Sequence, residues 1–426
     1  MSPIFLVGFR SWITKLSMNK KTVITGIGVV SPIGIGHQDF WKNLVSGNSG
    51  ITPMESLDLS KYECKNGAEV KNLDPAEFLG RKGLRYLHKG TKFLASSIKL
   101  ALDDANLNID DEISSRTGIL IGTSLGNFSQ TTDYFHDIVR EEPSELSPMQ
   151  SYDVALNSSI NYASVFFKIK GFARTISSGF TSGIDAIGNA HRLIQNGKAD
   201  VIIAGGVEQI SLDLYMIFLL RKMLSGSHGA DSEISMPFDK RRNGFIMSEG
   251  SYVFVMEELD FALSRGAKVY GEVSGFGTIF AGNKKYDTGR RVEKAQSAMK
   301  ACMDDANISL QDLDLIQANG NSGRLSDHIE AQAIFELFEK RGDEIPVCAV
   351  KSIVGECYGA SGAMQTAATA LAIQNSLIPP TINCEEKDPE CNVNIIHQKQ
   401  ACKINTALVN SFDYTGNNSC LMVKKL

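Results

Sequence analysis

Hydrophobic and polar positions along this chain follow two alternating periods. Val201–Gly205, bounded by Asp200 and Gly206, is a short continuous apolar run of the kind that forms a strand buried on both faces. Thr22–Ser31 and Val269–Thr278 are β-rich, glycine-punctuated runs, and each opens one half of the chain. Amphipathic helical segments separate such runs. Strand–helix alternation throughout predicts an α/β protein with helices covering both sheet faces.

The two halves repeat each other. Ile98–Leu107 (IKLALDDANL) resembles Met299–Ile308 (MKACMDDANI), 201 positions later. In both, Lys-x-x-x-Asp-Asp-Ala-Asn closes a helix and an apolar strand follows, Gly118–Ile121 first and Leu313–Gln317 second. A weaker echo pairs Ser182-Gly183 and Ile194-Gln195-Asn196 with Ser361-Gly362 and Ile373-Gln374-Asn375. Two matches in the same order predict an internal duplication. The chain divides into an N-terminal extension (1–17), a first half (18–260) and a second half (261–426). The first half is longer because of an insertion at 127–173. Met18, just before Lys20-Lys21 and the first strand, is an alternative start, in which case residues 1–17 are not part of the protein.

Composition narrows the function classes. A 43% hydrophobic, 21% charged chain of 426 residues is globular rather than disordered. A net charge of −5 argues against nucleic acid as a partner. The 8 cysteines include no C-x-x-C pair, so no zinc or redox motif is expected, and a reducing cytoplasm fits. No apolar run reaches the length of a membrane span. Gly26-x-Gly28 lacks the third glycine of a dinucleotide loop and reads as a strand-end turn.

The segment that speaks to chemistry is Thr175–Gly188 (TISSGFTSGIDAIG). A β-like stretch enters a Ser-Gly turn, and a helix then runs to about Asn196, with Thr181 or Ser182 as its cap. A residue just before such a helix feels the positive end of its dipole, where a cysteine would be a strong nucleophile. The residue here is Phe180.

This segment resembles the nucleophile elbow of the β-ketoacyl-acyl carrier protein synthases, on the thiolase fold. The same family's Gly-x-Ala-Asp-Val pattern is met by Gly197–Glu208 (GKADVIIAGGVE). Pro237–Phe245, Glu249-Gly250, Val350-Lys351-Ser352 and Asn410-Ser411-Phe412 match further family segments in order. The resemblance implies duplicated βαβαβ halves in a layered α-β-α-β-α arrangement, with no cofactor and no metal. Lys351, Glu249 and Phe412 are expected as retained scaffold, the first two as buried charges.

The departures fall on the family's chemistry. Phe180 stands at the cysteine, Asn319 at the first histidine (QANGNSG, 317–323) and Glu356 at the second (KSIVGECYGASG, 351–362). Two glycines of the loop that supplies an oxyanion amide are substituted in Asp413–Asn418 (DYTGNN). Cys357, beside the lost histidine, is expected to be a packed, inert thiol. A synthase fold without these groups is similar to the chain-length factor, the β subunit of type II polyketide synthases. That likeness implies a chain that is not an enzyme in isolation but a subunit of an acyltransferase complex. Its implied partners are a catalytic ketosynthase, in a heterodimer or a dimer of heterodimers, an acyl carrier protein and the growing polyketide.

In that reading Phe128, Thr132 and Phe135, on one helical face, and Met149 and Gln150 line the tunnel that sets product length. Two alternatives stand beside it. One is the β subunit of a heterodimer making polyene or fatty-acyl chains; the other is an active condensing enzyme with altered chemistry. Lys240–Arg242 and Arg81–Arg85 are candidate carrier-docking patches.

Overall fold

The computed structural model describes residues 20–140, 154–229, 232–282 and 287–426. The first half contributes strands β1 (Thr22–Ser31), β2 (Thr117–Gly122), β3 (Ala173–Ile176), β4 (Val201–Glu208) and β5 (Gly250–Glu258). The second contributes β6 (Gly271–Phe280), β7 (Leu315–Gln317), β8 (Pro346–Cys348), β9 (Asn394–Ile395), β10 (Thr406–Phe412) and β11 (Asn417–Lys424). In space the strands run β9-β8-β7-β10-β11-β6-β1-β5-β4-β2-β3. The order β3-β2-β4-β5-β1 in one half thus repeats as β8-β7-β10-β11-β6 in the other. The halves meet where β1 pairs antiparallel with β6, Thr22 opposite Val273.

Helices complete five layers. The middle layer is α4 (Ser182–Gln195) and α9 (Ser361–Asn375), which share one apolar core with the inner faces of both half-sheets. On the outer face of the first half lies α1 (Lys89–Asp104), and on that of the second lie α6 (Thr288–Ala306) and α7 (Arg324–Phe338). This is the thiolase-like α-β-α-β-α arrangement with duplicated halves.

The duplication extends to single contacts. Gly28 lies so close under α1 that a Cβ would sit 1.8 Å from Ser97 O; at Gly277 it would sit 2.4 Å from Ala298 O, 201 positions further along the partner helix. Asp104 accepts the Ile27 N–H at 2.8 Å, and Asp305 accepts the Phe276 N–H at 2.9 Å. Each carboxylate takes up an amide beside the register shift that both strands carry, between Ile24 and Gly26 and between Val273 and Gly275. Gly26-x-Gly28 is therefore no strand-end turn. It lies inside a strand, where the absent side chains let a helix approach.

The middle helices start alike. Ser182 Oγ accepts the Ser178 N–H at 2.9 Å, and Ser361 Oγ accepts the Cys357 N–H at 2.9 Å. Neither Thr181 nor Ser182 caps α4 in the expected way. The Thr181 hydroxyl donates to Ser178 O and Asp185, and the Ser182 hydroxyl to Gly179 O, so both brace the turn instead.

Candidate functional site

The elbow that joins β3 to α4 places Phe180 at the floor of a cavity. Gly179 takes φ 73°, a left-handed turn that presents residue 180 at the head of the helix. Phe180 is 3% exposed. Its ring centroid lies 5.5 Å from Tyr358, 5.8 Å from Phe218, 6.1 Å from Phe245 and 5.4 Å from Tyr414. Phe218 belongs to α5 (Leu212–Leu220) and stacks on Tyr358 at 5.0 Å. Aromatic pairs of this kind contribute about 0.5–1.5 kcal/mol each beyond their burial. The position is filled by a packed ring.

Beneath it lies a buried polar network. Lys351 Nζ donates to Glu356 Oε2 and to Asn319 Oδ1, each at 2.9 Å, with the Lys351 and Glu356 side chains 1% and 0% exposed. Asn321 Nδ2 donates to Glu356 Oε2 at 3.0 Å and the Ser361 hydroxyl to Oε1, so both oxygens of the carboxylate are engaged. The Phe412 N–H donates to Asn319 Oδ1 at 3.2 Å. Glu330 holds the loop from below by accepting the Asn319 and Gly320 N–H groups, each at 2.8 Å. Burial pushes the Glu330 carboxyl up to about 7. The degenerate positions Asn319 and Glu356 are thus brought together through Lys351.

Lys351 and Glu249 are both buried charges, but they serve different pairs. Glu249 binds Lys89 at 2.7 Å and accepts the Val70 and Ile210 N–H groups. Cys357 is fully buried, and burial with the nearby Glu208 and Glu356 carboxylates holds its thiol well above the ordinary value, so no reactive thiolate arises there.

The cavity above the elbow has a volume of about 630 Å³. Phe180, Phe245, Phe412 and Tyr414 form its apolar part, and Arg221, Arg291 and Arg324 carry positive charge around it. These three cations come from separate segments, and no local pattern announces them. Of the docking candidates, Arg242 is 3% exposed and tied to Asp388 at 2.6 Å, so Lys240–Arg242 is partly internal scaffold.

The helix carrying the tunnel candidates is α2 (Phe128–Arg140). Phe128 and Phe135 are exposed at 41% and 55%, and the Thr132 hydroxyl turns back to Phe128 O. None of the three lines the cavity. Met149 and Gln150 lie outside the described residues. Among the histidines, His191 is not a surface group: burial pushes it down to about 4, and it faces Thr22 at 3.1 Å, away from the elbow.

Fold and site together define a condensing-enzyme chain. It belongs to the β-ketoacyl synthase family: the N-terminal domain of that family matches residues 19–262 and the C-terminal domain residues 270–385. The chain is 34% identical to a 3-oxoacyl-[acyl-carrier-protein] synthase 2 of Synechocystis, over 95% of this chain and 98% of the relative. It is 33% identical to the protein of the same name from Coxiella burnetii, over 96% of this chain and 99% of the relative. Among solved structures, the ishigamide ketosynthase/chain length factor superposes with a TM-score of 0.88 at 25% identity, over 96% of this chain and 100% of that one. A type II polyketide synthase acyl-carrier protein in complex with its ketosynthase bound to the hexaketide gives 0.88 at 26%, with the same coverage.

These relatives overturn one expectation. A chain that shares a third of its residues, over nearly its whole length, with synthases belongs among the enzymes of the family. The step from Phe180, Asn319 and Glu356 to a chain that is no enzyme in isolation is withdrawn. Three substituted side chains do not outweigh the fold, the cavity and the buried Lys351–Glu356–Asn319 network that persist around them.

Proposed function

We propose that the chain elongates carrier-bound acyl chains as the β subunit of a heterodimeric ketosynthase, with fatty-acyl or polyene chains as product. The observation that carries this is the Phe180 ring packed where an acyl-bearing sulfur would stand, in a synthase fold whose cavity remains open. A condensing reaction that holds its acyl group as a thioester then takes its thiolate from the partner subunit. The similarity to a ketosynthase/chain length factor structure supports the pairing.

Exposed apolar surface supports a place for the partner. On α2, Phe128 and Phe135 face outward, and on α5, Leu212 and Leu220 do so at 45% and 76% exposure. Gln209, which precedes α5, donates to Gln130 of α2 at 3.0 Å, so the two regions touch. Apolar side chains gathered in this way mark a protein interface. In this reading the partner covers the face, and Phe128, Thr132 and Phe135 end the tunnel and limit the length of the product. The carrier protein brings the extender to the complex.

A second reading has the Lys351–Glu356–Asn319 network serve condensing chemistry of this chain's own, and the 34% identity to a synthase favours it. One experiment separates the two. The chain is purified alone and with a cysteine-bearing ketosynthase of the same source, and each sample is given an acyl starter and malonyl-carrier protein. The first reading expects a one-to-one complex in which the acyl label sits on the partner's cysteine. Acyl label held by this chain, with turnover lost in Glu356→Gln, establishes the second and refutes the first.

A further inference from the structure

Asp413 reaches the elbow from a turn 233 residues away in sequence. The Phe180 N–H donates to Asp413 Oδ1 at 3.2 Å. The neighbouring amides at the head of α4 are satisfied locally: Ser178 by Ser182 Oγ, Ser182 by Gly179 O and Asp185 by Thr181 O. The Phe180 amide instead turns to a distant carboxylate just before a helix start, the place where backbone N–H groups and the dipole bind anions.

The carboxylate that fills this place is pinned. Its second oxygen accepts the Thr415 N–H at 2.8 Å and the Thr415 hydroxyl. The Asp413 backbone closes a turn, its N–H donating to Asn417 O and its carbonyl accepting from Gly416. A Cβ on Gly179 would meet the Asp413 carboxyl at 2.9 Å, so the elbow and the turn are packed against each other. Asp413 is 5% exposed, and among the described residues it forms no ion pair. Its carboxyl is nevertheless on the wall of the 630 Å³ cavity, with Arg221, Arg291 and Arg324 around the same space. Burial pushes this acid up, and the Glu356 charge adds to that.

We propose that Asp413 is a built-in anion that occupies the oxyanion position at the head of α4 and so keeps carboxylates and developing oxyanions away from an otherwise cation-lined cavity. Phe180 removes the nucleophile; Asp413 separately closes the electrostatic site beside it. The inference concerns this chain's own pocket and does not rest on the heterodimer reading. Removing the carboxylate vacates a preorganised N–H and takes away a negative charge that acts on Arg291.

The test is calorimetric titration of the full-length chain with octanoate, a carboxylate on an apolar tail, and with 1-octanol as the neutral control. Asp413→Gly is expected to bind octanoate about tenfold tighter than wild type, as a regained charge-assisted hydrogen bond implies. Octanol affinity should stay within about twofold. Asp413→Asn keeps an oxygen for the Phe180 N–H but loses the charge, and is expected to gain about threefold by the same reasoning. If Asp413→Gly fails to fold, the asparagine variant decides. Octanoate binding unchanged in the folded variants overturns the proposal, and so does an equal gain for octanol, which would mean that only space was created.

Discussion

Replacing Lys351 by methionine tests whether Lys351 and Glu356, the ion pair at the second lost histidine position, act as one unit. The substitution keeps an unbranched side chain, one atom shorter, and removes its charge. Glu356 then retains Asn321 and Ser361 as donors but loses its cation in a site where both side chains are at most 1% exposed. Breaking a buried ion pair by removing one partner costs about 3–5 kcal/mol, because the remaining charge is desolvated and uncompensated. Asn319 Oδ1 also loses a donor at 2.9 Å. Glu356→Gln should be costly for the mirrored reason, with the Lys351 ammonium left unpaired. The double variant Lys351→Met/Glu356→Gln removes both charges and should lose much less than the sum of the singles, a coupling of about 2 kcal/mol or more. Urea unfolding of the four proteins closes the cycle. Additive effects, or single variants within about 1 kcal/mol of wild type, would refute a mutually dependent pair.

Further predictions concern other levels of the structure. Phe128→Ala and Phe135→Ala should leave the stability of the chain alone within about 0.5 kcal/mol, since both rings are exposed there, and each variant is then assayed in the complex with the partner ketosynthase. Mass spectrometry of the products should show longer chains, and unchanged lengths in both variants would contradict the tunnel assignment. Gly28→Ala forces a Cβ to 1.8 Å from Ser97 O and should cost about 3 kcal/mol or more, or abolish soluble expression; an ordinary melting temperature would contradict the close approach of β1 and α1. Glu330, held near 7 in the folded chain against an ordinary 4.5, binds its proton more tightly when folded. Its contribution is therefore most favourable below about 4.5 and declines as pH rises towards 7, by up to about 3 kcal/mol. Glu330→Gln should lack this decline, and urea midpoints at pH 5 and 7.5 compare the two. Parallel pH profiles would refute the shift.

Much of the architecture was legible in the sequence because duplication leaves local marks. The Lys-x-x-x-Asp-Asp-Ala-Asn repeat foretold that Asp104 and Asp305 occupy equivalent positions, and both take up the amide beside a strand irregularity. The Gly-x-Gly of β1 was visible as a motif but misread, because only the helix above it reveals why the side chains are absent. The elbow was legible for the same reason as the repeats: a strand, a glycine turn and a helix follow within a dozen residues. The partners of its residues were not. Asp413 meets Phe180 across 233 positions, and the cations around the cavity come from three distant segments. The two substituted glycines of the 413–418 loop were the available signal, and they marked a loss of backbone freedom without showing what the new carboxylate binds. Lys351 and Glu249 illustrate the converse. Both were recognised as buried charges, but burial alone does not name a partner, and each found a different one.

The most direct measurement is intact-mass analysis of the chain co-expressed with a cysteine-bearing ketosynthase and incubated with a labelled acyl donor and malonyl-carrier protein. The account predicts a one-to-one assembly, label on the partner's cysteine, and elongated product that disappears when this chain is omitted. Label covalently attached to this chain, with none on the partner's cysteine, would contradict it.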